Sequence, residues 1–470
     1  MEEGRNKKLV KDIFIYGIGN LGAKIITFAI FPVYTFFIRP DDLGYYDLSV
    51  NAILFLLPFI NLQLRDGVFR FLIDNKDDRK HKAVISAAYL LIIRMIVIAS
   101  ILFALLQFFI DVRCGYYIFA FLISWAFYEV QIQIVRGLGH TKFFVLCGVL
   151  TAFLILVFSL IFIIILRMDI EGVFLANIAA RVVVILIIET KLSLIIRYAT
   201  TPAEGSKDIT SALLKFCTPL ILTASLLWLI GNSNRFIIQH LLGQHANGIY
   251  ATVFKFAQII ELLSIVIFQA WQEMSVLQFE AEDRDKYYSS VFNSYLLILS
   301  GIVVTISLLL KIFYVHLVGA EYGSSVIYLY ILCVANIGYA LQSFMSAIFQ
   351  AQKNTIKLFY ASVFTVVISI VINYLLIKHI GLTGAAISYG ISYFLLFAFN
   401  FGLARGKTKI SVSSKVFIVS AAIVTGSGFV FYCTENVLLI LAFWLVSLVA
   451  VYLCLPPAII NWITTKFKRT

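Results

Sequence analysis

Residues 13–48 read IFIYGIGNLGAKIITFAIFPVYTFFIRPDDLGYYDL, and the first half of that stretch decides what kind of chain this is. Gly17, Gly19 and Gly22 fit the G-x-G-x-x-G pattern of a dinucleotide-binding turn, with Asp41 and Asp42 about 20 residues on, where such a fold places its ribose carboxylate. The context refuses that reading. The fingerprint needs a strand before the glycines and a soluble helix after them, whereas here an unbroken apolar run of about 25 residues contains them, enough to cross a hydrocarbon core that takes about 20. The run is longer than a signal-peptide core and has no small-residue cleavage site, so it predicts a retained first membrane helix. Its glycines then serve close helix packing or local flexibility beside a cavity.

The rest of the chain agrees. Of 470 residues, 61% are hydrophobic and 13% charged, with 42 Phe and 7 Pro. The mean hydropathy is +0.96. A soluble chain is about a quarter charged, and disordered or linker-rich chains lack large apolar side chains, so a polytopic all-α membrane protein remains. About fourteen segments, from 13–37 to 436–462, are long and apolar enough to span. The loops between them are short, which leaves no room for a soluble catalytic domain and predicts no enzyme. The net charge of +12 reads as membrane topology, not as a nucleic-acid surface. Alternate loops carry 27 Lys and Arg on one side, among them Arg65, Lys82, Arg136, Arg284 and Lys409, against 6 on the other, Arg39, Arg113, Arg167, Arg235, Lys311 and Lys378. Positive residues stay inside, so both termini are expected in the cytoplasm. Six scattered cysteines and six scattered histidines form no close pair and no H-E-x-x-H, so neither a metal site nor a cofactor is expected.

A weak internal repeat organises the segments. Leu43-Gly44-Tyr45-Tyr46 recurs as Asn247-Gly248-Ile249-Tyr250, Thr141 as Thr355, and Gly172-Val173-Phe174-Leu175-Ala176 as Gly384-Ala385-Ala386-Ile387-Ser388. The unit is six helices. An even unit gives two halves of the same orientation, related by an axis along the membrane normal. The expected division is a six-helix lobe over 1–200, a second over 201–408, and two additional helices over 409–470.

Polar stripes at helical spacing mark the faces that avoid lipid. Asn20, Lys24 and Thr27 share one face of the first segment; Asn51, Pro58, Asn61 and Arg65 one face of the second. Ser225, Trp228, Asn232 and Arg235 align in the seventh, Thr252, Lys255 and Gln258 in the eighth, and Asn336, Tyr339, Ser343, Ser346 and Gln350 in the tenth. Lys24, Arg94, Arg181 and Lys255 lie well inside their segments. A charge there costs about 2.5–3.5 kcal/mol on insertion scales, so each needs a partner or a wet cavity. Glu129 can neutralise one of the first three. The surplus suits a cleft for an anionic ligand, with Arg94 and Arg181 favoured as structural partners of Glu129 and Glu189.

The stretch at 13–48, the stretch LLKFCTPLILTASLLWLIGNSNRFIIQHLLGQHANGIYATVFKFAQII at 213–260, and GLTGAAISYGISYFLLF at 381–397 resemble the lipid-linked oligosaccharide and O-antigen flippases. These belong to the multidrug/oligosaccharidyl-lipid/polysaccharide exporter superfamily. Where that family often ends its seventh helix with Asp-Arg, this chain has Asn234-Arg235. The resemblance implies two six-helix lobes in a V and translocation of an undecaprenyl-pyrophosphate-linked oligosaccharide across a bacterial inner membrane for O-antigen or capsule. Lys24 and Lys255 correspond to helices that carry cavity-lining basic residues in related lipid II flippases. The expected substrate contacts are Lys24 and Lys255, with Arg65 and Arg235 nearer the two mouths and Asn20 and Asn61 beside them. Expected partners are the lipid-linked glycan, membrane lipids and other glycan-assembly membrane proteins. Two rivals are a multidrug exporter of the same superfamily, which would favour acidic cavity residues, and a membrane glycan polymerase or ligase, which would present a large outward loop.

Overall fold

A computed structural model describes residues 22, 26–74, 77–198, 206–352 and 355–455, and among them every regular element is a helix. In order these are α1 (Ile26–Phe37), α2 (Pro40–Ile60), α3 (Leu64–Asp74), α4 (Asp78–Phe109), α5 (Gly115–Gly137), α6 (Thr141–Ser159), α7 (Ile170–Leu192) and α8 (Leu194–Tyr198). They continue as α9 (Ser206–Ala257), α10 (Ile259–Leu277), α11 (Arg284–Leu317), α12 (Val326–Ala351), α13 (Thr355–Ala404), α14 (Ser414–Cys433) and α15 (Val437–Cys454). Eleven helical stretches among the described residues are long and apolar enough to cross a membrane. The chain is a multi-pass membrane protein.

Two helices are far longer than a bilayer is thick. The 52 residues of α9 and the 50 of α13 would each extend about 75 Å or more at 1.5 Å per residue, against a hydrocarbon core of about 30 Å. Each therefore turns back. Gly243 breaks α9 at φ 86°, and Gly381 breaks α13 at φ 60°, after Ile380 has left helical geometry. Without a Cβ, glycine takes this left-handed region at little cost.

By compactness the chain forms two units, Met1–Trp228 and Leu229–Thr470. In the first, Tyr89 and Ile92 of α4, Phe121 and Val130 of α5 and Phe174 and Val184 of α7 are buried together. Lipid tails are as apolar as leucine, so close packing and buried hydrogen bonds hold membrane helices together in place of hydrophobic burial. Tyr34 illustrates this: its hydroxyl lies 3.0 Å from that of Ser159, and its ring meets Tyr46 edge-on at 6.0 Å. Lipid-facing surfaces show the converse, as on α15, where Leu438, Val446 and Leu453 are all exposed.

The sequence repeat has a structural counterpart inside each unit. Tyr46 packs edge-to-face on Phe174 at 5.3 Å, and Asn177 donates to its hydroxyl at 3.3 Å. Tyr250 donates its hydroxyl to the Ala385 carbonyl at 3.3 Å and accepts from Asn234 at 2.9 Å. In both units the tyrosine motif thus meets the glycine-led motif of the sixth repeat position. Within the second unit the helices after Thr408 pack on α11: Trp444 donates to Thr305 at 3.0 Å, and Lys311 donates to the carbonyls of Phe431 and Thr434.

Candidate functional site

In the first unit the second membrane segment is interrupted, and the interruption is where its charges gather. Leu62 and Gln63 take left-handed φ of 49° and 53° between α2 and α3. Asn61 organises the break: its side-chain oxygen accepts from the Gln63 N–H at 2.8 Å, and its amide donates to Glu129 of α5 at 2.9 Å. Arg65 donates to the other Glu129 oxygen at 3.3 Å. The Arg65 side chain is 44% exposed and that of Glu129 16%, so the pair joins a buried anion to a cation that reaches an accessible surface.

Arg181 is 7% exposed and lies 4.8 and 4.5 Å from the ring centres of Phe121 and Trp125. It donates to the Asn177 carbonyl and side-chain oxygens at 2.8 and 3.2 Å. This is a guanidinium held within the bundle. Glu189, a candidate partner for it, instead accepts the backbone N–H groups of Ile195 and Ile196 and caps α8. Arg94 lies on the outer face of α4 among the exposed Leu90, Ile93, Val97 and Ile98. Asn20 and Lys24 lie outside the described residues.

The second unit repeats the buried clamp and adds an accessible cation. Arg235 is 2% exposed, 4.6 and 4.4 Å from the ring centres of Tyr250 and Phe254. Between Asn247 and Ala257 every residue is buried except Lys255. Its neighbours on the same stripe divide: Thr252 is buried and donates to its own helix at Gly248, while Gln258 is partly accessible.

A neutral polar face lies on α12, whose buried Asn336 reaches the Ala257 carbonyl at 3.4 Å. On α12, Asn336 is buried, donating to the carbonyl of Leu332 at 2.8 Å, whereas Tyr339, Ser343, Ser346 and Gln350 remain accessible. Across from them on α10, Gln272 donates to Gln350 at 2.5 Å, and Glu261 accepts from the Gln258 amide at 3.4 Å. Sequence reading passed over Glu261 and Gln272. A carboxylate inside the run IIELLS is a signal of the same kind as Lys255, since both are costly at membrane depth. Among the described residues no group of three or more His, Cys, Asp or Glu could hold a metal.

Between α4 and α5, Arg113 donates to Asp42 at 2.5 Å, and this bond raises the pKa of the guanidinium. Beside it, burial and then the Glu171 carboxylate push the Cys114 thiol up to about 11.

Comparison with known proteins adds to this geometry. Residues 9–272 match the family described as "Polysaccharide biosynthesis protein". No curated protein matches the chain. Among solved structures, an inward-facing multidrug resistance MATE family transporter of the MOP superfamily superposes with a TM-score of 0.69 at 16% identity, covering 82% of this chain and 94% of its own. The lipid II flippase MurJ in an inward closed conformation gives a TM-score of 0.67 at 13% identity, covering 94% and 97%. An outward-facing MATE family transporter gives 0.57 at 18%, covering 84% and 95%. At these identities the likeness concerns the fold.

Proposed function

Since the chain belongs to the polysaccharide biosynthesis protein family, whose model spans more than half of it, we propose that it is a flippase for an undecaprenyl-pyrophosphate-linked oligosaccharide. On this reading it moves the lipid-linked glycan from the cytoplasmic to the outer leaflet of a bacterial inner membrane, for O-antigen or capsule. The observation that carries it is Lys255: one cation exposed from a helical stretch that is otherwise wholly buried at membrane depth. An ammonium placed there is costly unless water and an anion meet it. A pyrophosphate is such an anion, and its transfer past hydrocarbon needs what Lys255 offers, while the polyprenyl tail stays in lipid. Lys24, from the opposite half of the repeat, is the second proposed contact, with Arg65 reached after it leaves Glu129. Asn61 positions Arg65 through their common carboxylate. Asn20 and Arg235 complete the proposed set, Arg235 only in a conformation that opens its aromatic clamp. No bond is made or broken, so the protein acts as a transporter.

The test is export in a deletion strain complemented at matched membrane abundance. Lys255→Ala should reduce surface glycan, Lys255→Arg should keep part of it because charge is retained while hydrogen-bond geometry changes, and Lys255→Glu should be worse than Ala. The same order is expected at Lys24. Normal export by Lys255→Glu would remove the cationic basis of the proposal, and a cationic-drug exporter would then be the better reading.

A further inference from the structure

From Leu332 to Gln350, α12 is buried on all sides except at Val334, Tyr339, Ser343, Ser346 and Gln350. The last four recur at intervals of four, three and four residues, so they share one face. A helix face turned to lipid is predominantly apolar, as the outer face of α15 is. This window is polar, which places water beside it.

The neighbouring helix extends the same surface. Backbone hydrogen bonds from Gln258 to Phe254 and from Leu262 to Gln258 carry α9 into α10 without a break, so Lys255 and Gln272 lie about 26 Å apart along one nearly continuous rod. That is close to the hydrocarbon thickness of about 30 Å. The two helices are fixed against each other. Trp271 stacks on Phe344 at 4.2 Å and donates to its carbonyl at 3.0 Å, and the amides of Gln272 and Gln350 join near the C-terminal ends of both helices.

Among the described residues the strip offers amides, hydroxyls and the Glu261 carboxylate. It has donors and acceptors together and, among those residues, no cation, which suits sugar hydroxyls and not phosphate. We propose that the α10–α12 strip holds the glycan part of the substrate and selects which glycan passes. This inference rests on the flippase reading. A glycan lacking matching hydroxyls leaves buried polar groups of the strip unpaired, the kind of mismatch that binding sites reject strongly.

Cysteine accessibility tests it. In a background with the native cysteines replaced, Ser343→Cys and Ser346→Cys should react with a membrane-impermeant thiol reagent in inside-out vesicles, whereas Val371→Cys, on an exposed apolar face of α13, should not. Lipid-linked glycan purified from the deletion strain should protect both serine positions, about tenfold at ten times its dissociation constant. Undecaprenyl pyrophosphate alone should not. Failure of either cysteine to react would mean a dry face and overturn the strip. Equal protection by both lipids, or by neither, would overturn its assignment to the glycan. Failure of the flippase reading shows separately, as a deletion strain that keeps its surface glycan and accumulates no lipid-linked precursor.

Discussion

The Asn61 amide donates to a Glu129 carboxylate oxygen at 2.9 Å while its own side-chain oxygen accepts the Gln63 N–H at 2.8 Å, so one side chain links α5 to a break in the second membrane segment. Two consecutive non-glycine residues in the left-handed region, each unfavourable by about 1 kcal/mol or more, persist there because this link and the Arg65 bond hold them.

Removing the link should therefore be felt as stability before chemistry. Asn61→Ala is expected to cost about 1–3 kcal/mol, because it removes one donor from the largely buried Glu129 carboxylate and frees a backbone N–H. Asn61→Asp should cost more, since it sets a second carboxylate against Glu129. Thermal unfolding in detergent checks the order. An Asn61→Asp protein as stable as the parent would mean that Asn61 does not hold this break.

The turns at Gly243 and Gly381 make a second prediction. Neither has a neighbour that a Cβ would strike, so substitution there is governed by backbone conformation alone. Gly243→Ala and Gly381→Ala should each destabilise by about 1–2 kcal/mol. Asn should do no better than Ala at Gly381, where φ is 60° but ψ is −139°, outside the left-handed helical region that Asn tolerates. A clearly smaller loss for Asn than for Ala at Gly381 would argue against this backbone geometry.

Cys114 should be a slow thiol. Its pKa is pushed up to about 11, by burial first and by the Glu171 carboxylate second, so at neutral pH the nucleophilic thiolate is scarce. Alkylation should run roughly a hundredfold slower than for a thiol at 9 and rise about tenfold per pH unit up to the raised value. Glu171→Gln removes the repelling charge and should speed it at every pH below that value. Mass spectrometry of the labelled peptide reads the rate; a rate already level at pH 8 contradicts the raised pKa.

The topology prediction is fourteen crossings with both ends in the cytoplasm. It draws on the asymmetry of Lys and Arg between alternate loops and on the turns within α9 and α13. A cysteine placed at Gly243 should label from the outward side and one at Arg284 from the cytoplasm. Labelling of both from one side would require a different count.

The sequence by itself determined the class of the protein and much of its plan. Its composition, its segment lengths and the context of Gly17, Gly19 and Gly22 leave a membrane bundle, because hydrocarbon demands long apolar helices whatever their neighbours are. The motifs paired in the sequence also meet in the fold: Tyr46 lies on Phe174 and Tyr250 bonds to Ala385. What only the tertiary structure decided was which member of each polar stripe is glue and which is surface. Asn336 and Tyr339 share a stripe, as do Thr252 and Lys255, yet Asn336 and Thr252 bond to their own helices and are buried while Tyr339 and Lys255 remain accessible. Arg235, expected from the sequence as a substrate contact, lies against two aromatic rings in the fold, as does Arg181, for which the sequence favours a structural role. Helical spacing places residues on a face to within an angle wide enough to hold both a packed and a wet side chain, and the neighbouring helix alone draws the line between them.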